Sequence, residues 1–333
     1  MRRIVAGLAA VIAVAGLAAC ASTTHDRTAV PQHASSPSRR PSPSPSPFDP
    51  AVGAPLPTDR IVAYYAVPGA EATGPAWRLS EAMYRRLARQ GAEYEKLDPA
   101  HPVKLGIDLV VSVPDRNPGP HGYYSHHVDS ATVRQYMDFC QRHHLLLFLD
   151  LDFGRAPVMH ELAAYLPYLR HDYVQLAVDP EWMFPRGNGV PGVTLSNVRA
   201  SDLNPIIDAV AAVSARYHVP RKVLMIHQYR SDGDGLSDPY DRHAAEIADK
   251  RHLRDSDEVD VVIACDGVGG WPGDHQAKTS EYRHWVADDM HHYRNFRYGG
   301  FKLFYNIEAR TGVMTPRQVM SLKPAPMVIT YGN

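Results

Sequence analysis

Eight short apolar segments recur after Thr58, and most are continuously apolar rather than alternating with polar residues. A continuous apolar run is typical of a parallel strand that is covered on both faces. The predicted strands are 61–67, 105–113, 145–153, 174–182, 222–230, 259–267, 299–306 and 326–332. Segments with helical spacing separate them. Eight such alternations between Thr58 and Asn333 predict an α/β protein with a (β/α)8 TIM barrel, which usually takes about 250 residues.

The helices between the strands are predicted from caps and periodicity. One follows a Ser130 cap, another follows Ser201, and "TPRQVMSL" begins with a cap residue and a proline. Residues 77–91 read as a helix that stops at Gly91. A doubly wound open sheet is the alternative architecture. The segment "YYAVPGAEATG" after the first strand lacks the glycine fingerprint of dinucleotide-binding sheets, so the barrel is favoured.

The chain begins with a predicted lipoprotein signal peptide, residues 1–20. Two arginines precede an apolar run that is too short for a membrane span, and "LAAC" ends it at Cys20 in the pattern of a bacterial lipobox. Proteins with that motif carry a lipid on the cysteine. Residues 21–57 are rich in Ser and Pro, which predicts a disordered linker. The expected location is therefore the extracytoplasmic face of the cell membrane, with residues 58–333 as one barrel domain.

Charge and cysteine content exclude some classes of function. The net charge is −1, so no basic surface for nucleic acid is expected. Besides Cys20 the chain has only Cys140, predicted on a helix, and Cys265, predicted on a strand. Two buried free thiols are favoured over a disulfide between them.

Polar residues collect where the predicted strands end, which is where TIM barrels carry their active sites. Asp179 and Glu181 end the fourth strand within "LAVDPEWMF", and Asp150 and Asp152 end the third. Residues two apart on a strand share a face, so each pair should point together. The other predicted site residues at strand ends are Asp266, His227, Gln228, Tyr229, Tyr305 and Tyr331.

Adjacent carboxyl groups suggest acid–base chemistry, because the second group ionises less readily beside the first. One acid that keeps its proton and one carboxylate are what glycoside hydrolysis requires. Asp179 and Glu181 are the first candidates for these roles. Asp152 or Asp266 would be the second carboxylate. Trp182 would add an apolar wall or a sugar-stacking face.

The Asp-x-Glu of the fourth strand resembles that of family 18 chitinases and family 25 lysozymes. In those families the Glu is the general acid and the Asp assists it, which implies these roles for Glu181 and Asp179. The family 18 motif has two further Asp where this chain has Val174 and Ala177. The chain also resembles uncharacterised actinobacterial secreted proteins and lipoproteins, through its "DPEW", its "HQYR" and Asp266–Gly267.

A metal site and a calcium loop are both disfavoured by the sequence. The histidine-rich segments "HGYYSHH" and "DDMHHY" match no standard zinc spacing, and 231–241 lacks the final Glu of a calcium loop. No G-x-S-x-G motif of the esterases occurs. We therefore expect no cofactor or metal, and a polysaccharide or peptidoglycan substrate. The alternative is a non-catalytic carbohydrate-binding lipoprotein on a degenerate barrel.

Overall fold

All eight predicted strands are present and form a closed parallel barrel. The structure is a computed structural model, and it describes residues 48–196, 198–228, 246–267 and 269–333. The predicted signal peptide with Cys20, most of the predicted linker, and Tyr229 lie outside these residues. The strands are β1 (Arg60–Ala66), β2 (Val103–Pro114), β3 (Ser125–His127), β4 (Leu146–Leu151), β5 (Val174–Val178), β6 (Lys222–Gln228), β7 (Val259–Cys265), β8 (Tyr298–Phe304) and β9 (Val328–Gly332).

Closure of the sheet comes from β1, which pairs in parallel with both β2 and β9. The remaining barrel strands follow in the order β2, β4, β5, β6, β7, β8 and β9, and every neighbouring pair is parallel. The short β3 lies outside the ring and pairs antiparallel with the end of β2. The structure therefore confirms the (β/α)8 prediction over the open sheet.

The strand alternation sorts side chains into an interior set and an exterior set. Leu147, Leu149 and Leu151 of β4 pack in the large outer core against the helices. Leu146 and Phe148 lie in a second cluster inside the ring. The interior cluster also holds Ile61, Ala177, Val223, Met225, Val262, Ala264 and Val328. Successive side chains of a strand point to opposite faces. The next inward positions of several strands, toward the C-terminal end of the barrel, therefore hold polar residues.

Seven α-helices lie among the described residues, in the connections between barrel strands, and the described part of the β6–β7 connection holds only a 3-10 turn. They are α1 (Glu81–Leu97), α2 (Ser130–His143), α3 (Val158–Ala163), α4 (Ala200–Tyr217), α5 (Asp274–Tyr282), α6 (Asp289–Tyr293) and α7 (Pro316–Val319). Thr315 caps α7 as predicted, with Pro316 in the first position. None of the described helices has the length and apolar character that crossing a membrane requires.

Three details of the helix prediction are wrong. The cap of α2 is Asp129, whose carboxylate accepts from two backbone N–H groups, and not Ser130. The N-cap of α4 is Arg199, two residues before the predicted Ser201. Gly91 does not stop α1 but lies inside it, where the helix runs so close to β2 that a Cβ would meet Leu105.

The N-terminal end of the barrel is covered by residues 48–57, which the sequence assigned to the linker. Phe48 stacks on His218, the N–H of Arg221 donates to the carbonyl of Pro50, and Leu56 packs into the interior cluster. Two apolar side chains bring this stretch onto the barrel, so the folded domain begins before Thr58. Cys140 on α2 and Cys265 on β7 are buried free thiols, as predicted.

Candidate active site

Six carboxyl groups converge inside the C-terminal end of the barrel. They are at most 3% exposed, and we refer to them as the carboxylate cluster. Its members are Asp108, Asp150, Asp152, Asp179, Glu181 and Asp266. Five of these six were predicted from the strand ends, so the structure brings the predicted acids together. Asp108 was missed.

The inward direction of these acids follows from the strand period. Asp150 and Asp152 continue the inward row of Phe148 on β4, and Asp179 follows Ala177 on β5. Asp266 follows Ala264 on β7. The apolar residues lower in each strand anchor the interior, and the acids occupy the next inward positions.

Glu181 reaches the cluster by a different route from the one predicted. The strand β5 ends at Val178, and residues 180–182 form a 3-10 turn. Asp179 and Glu181 therefore do not share a strand face. Pro180 cannot donate to a ladder, which favours the end of the strand at this point. The backbone carbonyl of Glu181 accepts from Ser196, while its Oε2 has no hydrogen-bond partner among the described residues. Trp182 is half-buried beside it.

In the described part of the chain, two basic side chains oppose the six acids, and both are buried. His227 extends from β6 with its Nε2 3.6 Å from Asp108 and 3.8 Å from Asp150. Its Nδ1 lies 3.3 Å from Asp266 and 3.8 Å from Asp179. Burial and Lys302 oppose the imidazolium, but the surrounding carboxylates prevail and raise the pKa of His227 well above its usual value.

Lys302 of β8 is the second base, and the sequence analysis did not identify it. Its Nζ donates to Asp266 at 2.7 Å and lies 4.0 Å from the centre of the Tyr65 ring. Burial disfavours the ammonium, yet Asp266 and the other acids raise the pKa of Lys302. A charged residue inside the otherwise apolar "GGFKLF" was the available signal, as was Asp108 inside "LGIDLVV".

Two members of the cluster have pKa values displaced in opposite directions. Burial raises the pKa of Glu181 well above its usual value, and the charges of Asp179 and Asp266 raise it further. Burial also acts to raise the pKa of Asp266, but Lys302 and His227 outweigh it and lower this pKa to about 2. The surroundings therefore favour the protonated form of Glu181 and the ionised form of Asp266, which is the division that acid–base catalysis uses.

Asp150 and Asp152 resemble Glu181 rather than Asp266. Burial raises the pKa of Asp152 well above its usual value, and Asp179 adds to this through its charge and a side-chain hydrogen bond. Burial raises the pKa of Asp150 likewise, with Asp179 and Asp108 contributing. Among the described residues neither accepts a hydrogen bond from an ammonium group, whereas Asp266 accepts one from Lys302.

Three of the predicted pocket residues do not face the cluster. Gln228 leaves β6 on the face opposite to His227, and its amide oxygen accepts from the N–H of Ile247. Tyr331 points outward from β9, and its hydroxyl lies 2.6 Å from that of Tyr94 on α1. Tyr305 stacks on Tyr331 and contacts Arg86. The prediction took them for pocket residues because they end strands, but period-two alternation sends alternate residues to the helix layer.

Comparison with known proteins finds structures of low similarity and no family. No protein-family profile matches the chain, and no curated protein matches it. A hyperthermophilic endo-beta-1,4-glucanase solved with substrate is similar, at 10% identity and a TM-score of 0.37, over 80% of this chain and 87% of that one. A tri-modular GH5 (subfamily 4) endo-beta-1,4-glucanase from Bacillus licheniformis has 11% identity and a TM-score of 0.42. The similarity to it covers 85% of this chain and 55% of that one, so this chain spans about half its length.

A further similar structure is a GH5-4 broad-specificity endoglucanase from Clostridium acetobutylicum. It has 11% identity and a TM-score of 0.34, over 72% of this chain and 78% of that one.

Proposed function

We propose that the chain is a glycoside-hydrolase-like enzyme in which Glu181 is the general acid and Asp266 is the second carboxylate. The observation that carries the proposal is the opposite displacement of their pKa values within one buried cluster. Glu181 keeps a proton that it could give to a leaving glycosidic oxygen. Asp266 keeps a negative charge that could activate water, attack the sugar, or stabilise an oxocarbenium ion.

Asp266 fits the second role better than Asp152, the other candidate. Lys302 donates to one oxygen of Asp266, while Oδ1 of Asp266 has no hydrogen-bond partner among the described residues. Asp152 lies beside Asp179 and has no basic ion-pair partner among the residues that the structure describes, and its raised pKa favours the neutral acid. Asp179 would orient Glu181 and hold its proton, because a negative charge nearby makes ionisation of Glu181 costlier.

The experiment is a hydrolysis screen with Glu181→Gln as the matched variant. The chain without residues 1–20 is incubated with cell-wall polysaccharides, peptidoglycan and plant β-glucans, and released reducing ends are measured. We expect release from at least one polymer, and a loss of about 10²–10⁴-fold in Glu181→Gln with glycan binding retained. The anomer of the first product, followed by NMR, then reports whether Asp266 acts as a nucleophile or as a base.

The competing proposal is a carbohydrate-binding protein without turnover. The observation that favours it is the burial of Glu181 and Asp266, both only 3% exposed, with Asp266 already paired to Lys302. Under this proposal the wild type retains glycan in pull-downs and releases no reducing ends, and Glu181→Gln binds as well as the wild type. That result would reject the hydrolase.

The lipid anchor on Cys20 is a separate proposal that rests on the N-terminal sequence. Basic residues, a short apolar run and "LAAC" support it. We infer an extracytoplasmic protein attached to the cell membrane, with a cell-envelope or environmental polysaccharide as substrate. Cys20→Ser should move the protein from the membrane fraction to the soluble fraction and abolish incorporation of labelled palmitate. Retention of the Cys20→Ser protein in washed membranes would contradict the anchor.

A further inference from the structure

The deepest part of the carboxylate cluster contains polar groups that the described protein leaves without partners. Asp108 and Asp150 are fully buried, and none of their four carboxylate oxygens has a hydrogen bond among the described residues. Both ring nitrogens of the fully buried His227 are likewise without a hydrogen bond. Burying polar groups without hydrogen bonds is unfavourable, so a bound species is expected where these atoms face each other.

The distances between these atoms are those of groups that share a ligand. His227 Nε2 lies 3.6 Å from Asp108 Oδ2 and 3.8 Å from Asp150 Oδ2, which is too long for a direct hydrogen bond. One ligand atom from each residue lies within 4.8 Å of the other two. Two ligands bound at about 2.0–2.1 Å to a tetrahedral metal are separated by roughly 3.4 Å. The three side chains therefore need only small movements to meet one cation.

The orientation of His227 also suits a metal ligand. Its Nδ1 faces Asp266 Oδ2 at 3.3 Å, and Lys302 donates to that same oxygen at 2.7 Å. A histidine that binds a metal through one nitrogen usually directs the N–H of the other nitrogen at a carboxylate, which sets the tautomer and the ring plane. Here Asp266 would be the carboxylate that accepts from Nδ1–H, and the Nε2 lone pair would point toward Asp108 and Asp150.

The other face of the histidine is less suitable for a cation. Asp179 and Asp266 also approach His227, on the Nδ1 side, within the same distance limit. The ammonium of Lys302 already occupies a position against Asp266. A divalent cation there would meet a fixed positive charge at close range, whereas the four carboxylate oxygens of Asp108 and Asp150 accept no hydrogen bond from any described residue.

We propose that Asp108, Asp150 and His227 bind a divalent transition-metal cation of the zinc type inside the barrel. Imidazole nitrogen and carboxylate oxygen are both zinc ligands, and three protein ligands leave a position for water or another small molecule. The site goes beyond the proposed glycosidase activity and does not depend on it. Its test is therefore a binding measurement and not a rate.

The test uses the full chain, stripped with chelator and then equilibrated with Zn²⁺. After removal of free metal, plasma emission spectrometry should find one zinc per wild-type chain. The double variant His291→Ala, His292→Ala removes two exposed histidines far along the sequence and should keep that zinc. Asp108→Asn should weaken binding at least tenfold in calorimetric titration. A substoichiometric wild type, or an Asp108→Asn protein that binds as tightly as the wild type, would overturn the proposal.

A second measurement covers the case in which Asp108→Asn does not fold. The thermal midpoint of the wild type is compared in EDTA and in Zn²⁺, since a ligand that binds only the folded state raises it. X-ray absorption of the zinc-loaded wild type should show nitrogen and oxygen ligands with the scattering of one imidazole. No midpoint shift, or a spectrum with two or more imidazoles, would reject the site even without the variant.

Discussion

Lys302 and Asp266 form an ion pair inside the barrel, with Nζ and Oδ2 2.7 Å apart and both side chains at most 5% exposed. They come from neighbouring strands: Lys302 lies on β8, and Asp266 directly follows β7. The pair gives the carboxylate cluster one ionised acid in a setting that otherwise favours protonation. His227 reinforces it from β6.

Replacing Lys302 with Met should destabilise the protein strongly. It leaves the Asp266 carboxylate buried with less compensation, and removing one partner of a buried pair typically costs about 3–5 kcal/mol. The measurement is the free energy of unfolding in urea. Lys104→Met is the matched control, because Lys104 is 49% exposed and lies 3.9 Å from Asp59. That exposed pair should contribute less than about 1 kcal/mol. Equal effects of the two substitutions would contradict the assigned role of Lys302.

Glu181→Gln should stabilise the protein more at pH 7 than at pH 4, relative to the wild type. The folded state keeps the Glu181 proton above the pH at which the unfolded chain loses it, near the usual glutamate pKa of about 4.3. Rising pH therefore favours the unfolded wild type through this residue, and the effect ends above the folded-state pKa. Glutamine cannot ionise, so the variant lacks this loss.

The check is urea unfolding of wild type and variant at both pH values. The exposed Glu71→Gln serves as a control, for which the difference should be close to zero throughout. A Glu181→Gln difference that is the same at pH 4 and pH 7 would show that the folded state does not hold this proton.

Gly154→Ala should disturb the turn that follows Asp152. Gly154 has φ +59°, and a Cβ there would lie 2.2 Å from the backbone oxygen of Tyr123. Left-handed strain and displacement of backbone together suggest a loss of about 2–5 kcal/mol. Gly119→Ala is the control: its φ is +63° with no atom within 4 Å of the added Cβ, so only the strain of about 1–2 kcal/mol remains. Thermal unfolding of the two variants tests this, and an equal loss would remove the steric argument.

Tyr331→Phe should leave turnover within about twofold of the wild type while lowering stability by roughly 0.5–2 kcal/mol. Its hydroxyl pairs with that of Tyr94 in the outer layer, away from the carboxylate cluster. Unfolding of Tyr331→Phe, Tyr94→Phe and the double variant forms a double-mutant cycle. The double variant should lose little more than either single variant. A large loss of turnover in Tyr331→Phe would return this residue to the substrate pocket.

Much of the fold could be predicted because its signals are local. Continuous apolar runs identified all eight barrel strands, and most boundaries agree within two residues, although β5 ends four residues earlier than predicted. TIM barrels carry their active sites at the C-terminal ends of the strands, and this rule predicted a set of polar site residues: Asp150, Asp152, Asp179, Glu181, His227 and Asp266. The errors arose because these sequence patterns report on neighbouring residues and not on packing between distant segments. A glycine at position 91 is typical of a helix end, but here it lies inside α1 because a larger residue would collide with Leu105 of β2.

The sequence by itself determined the eight strands, their order as parallel units, and the collection of acids at their C-terminal ends, because apolar content and period-two alternation are properties of neighbouring residues. Only the tertiary structure decided that Asp108 and Lys302 meet these acids while Gln228, Tyr305 and Tyr331 turn away. That outcome depends on ring closure and on strand register, and a shift of one residue sends every side chain of a strand to its other face.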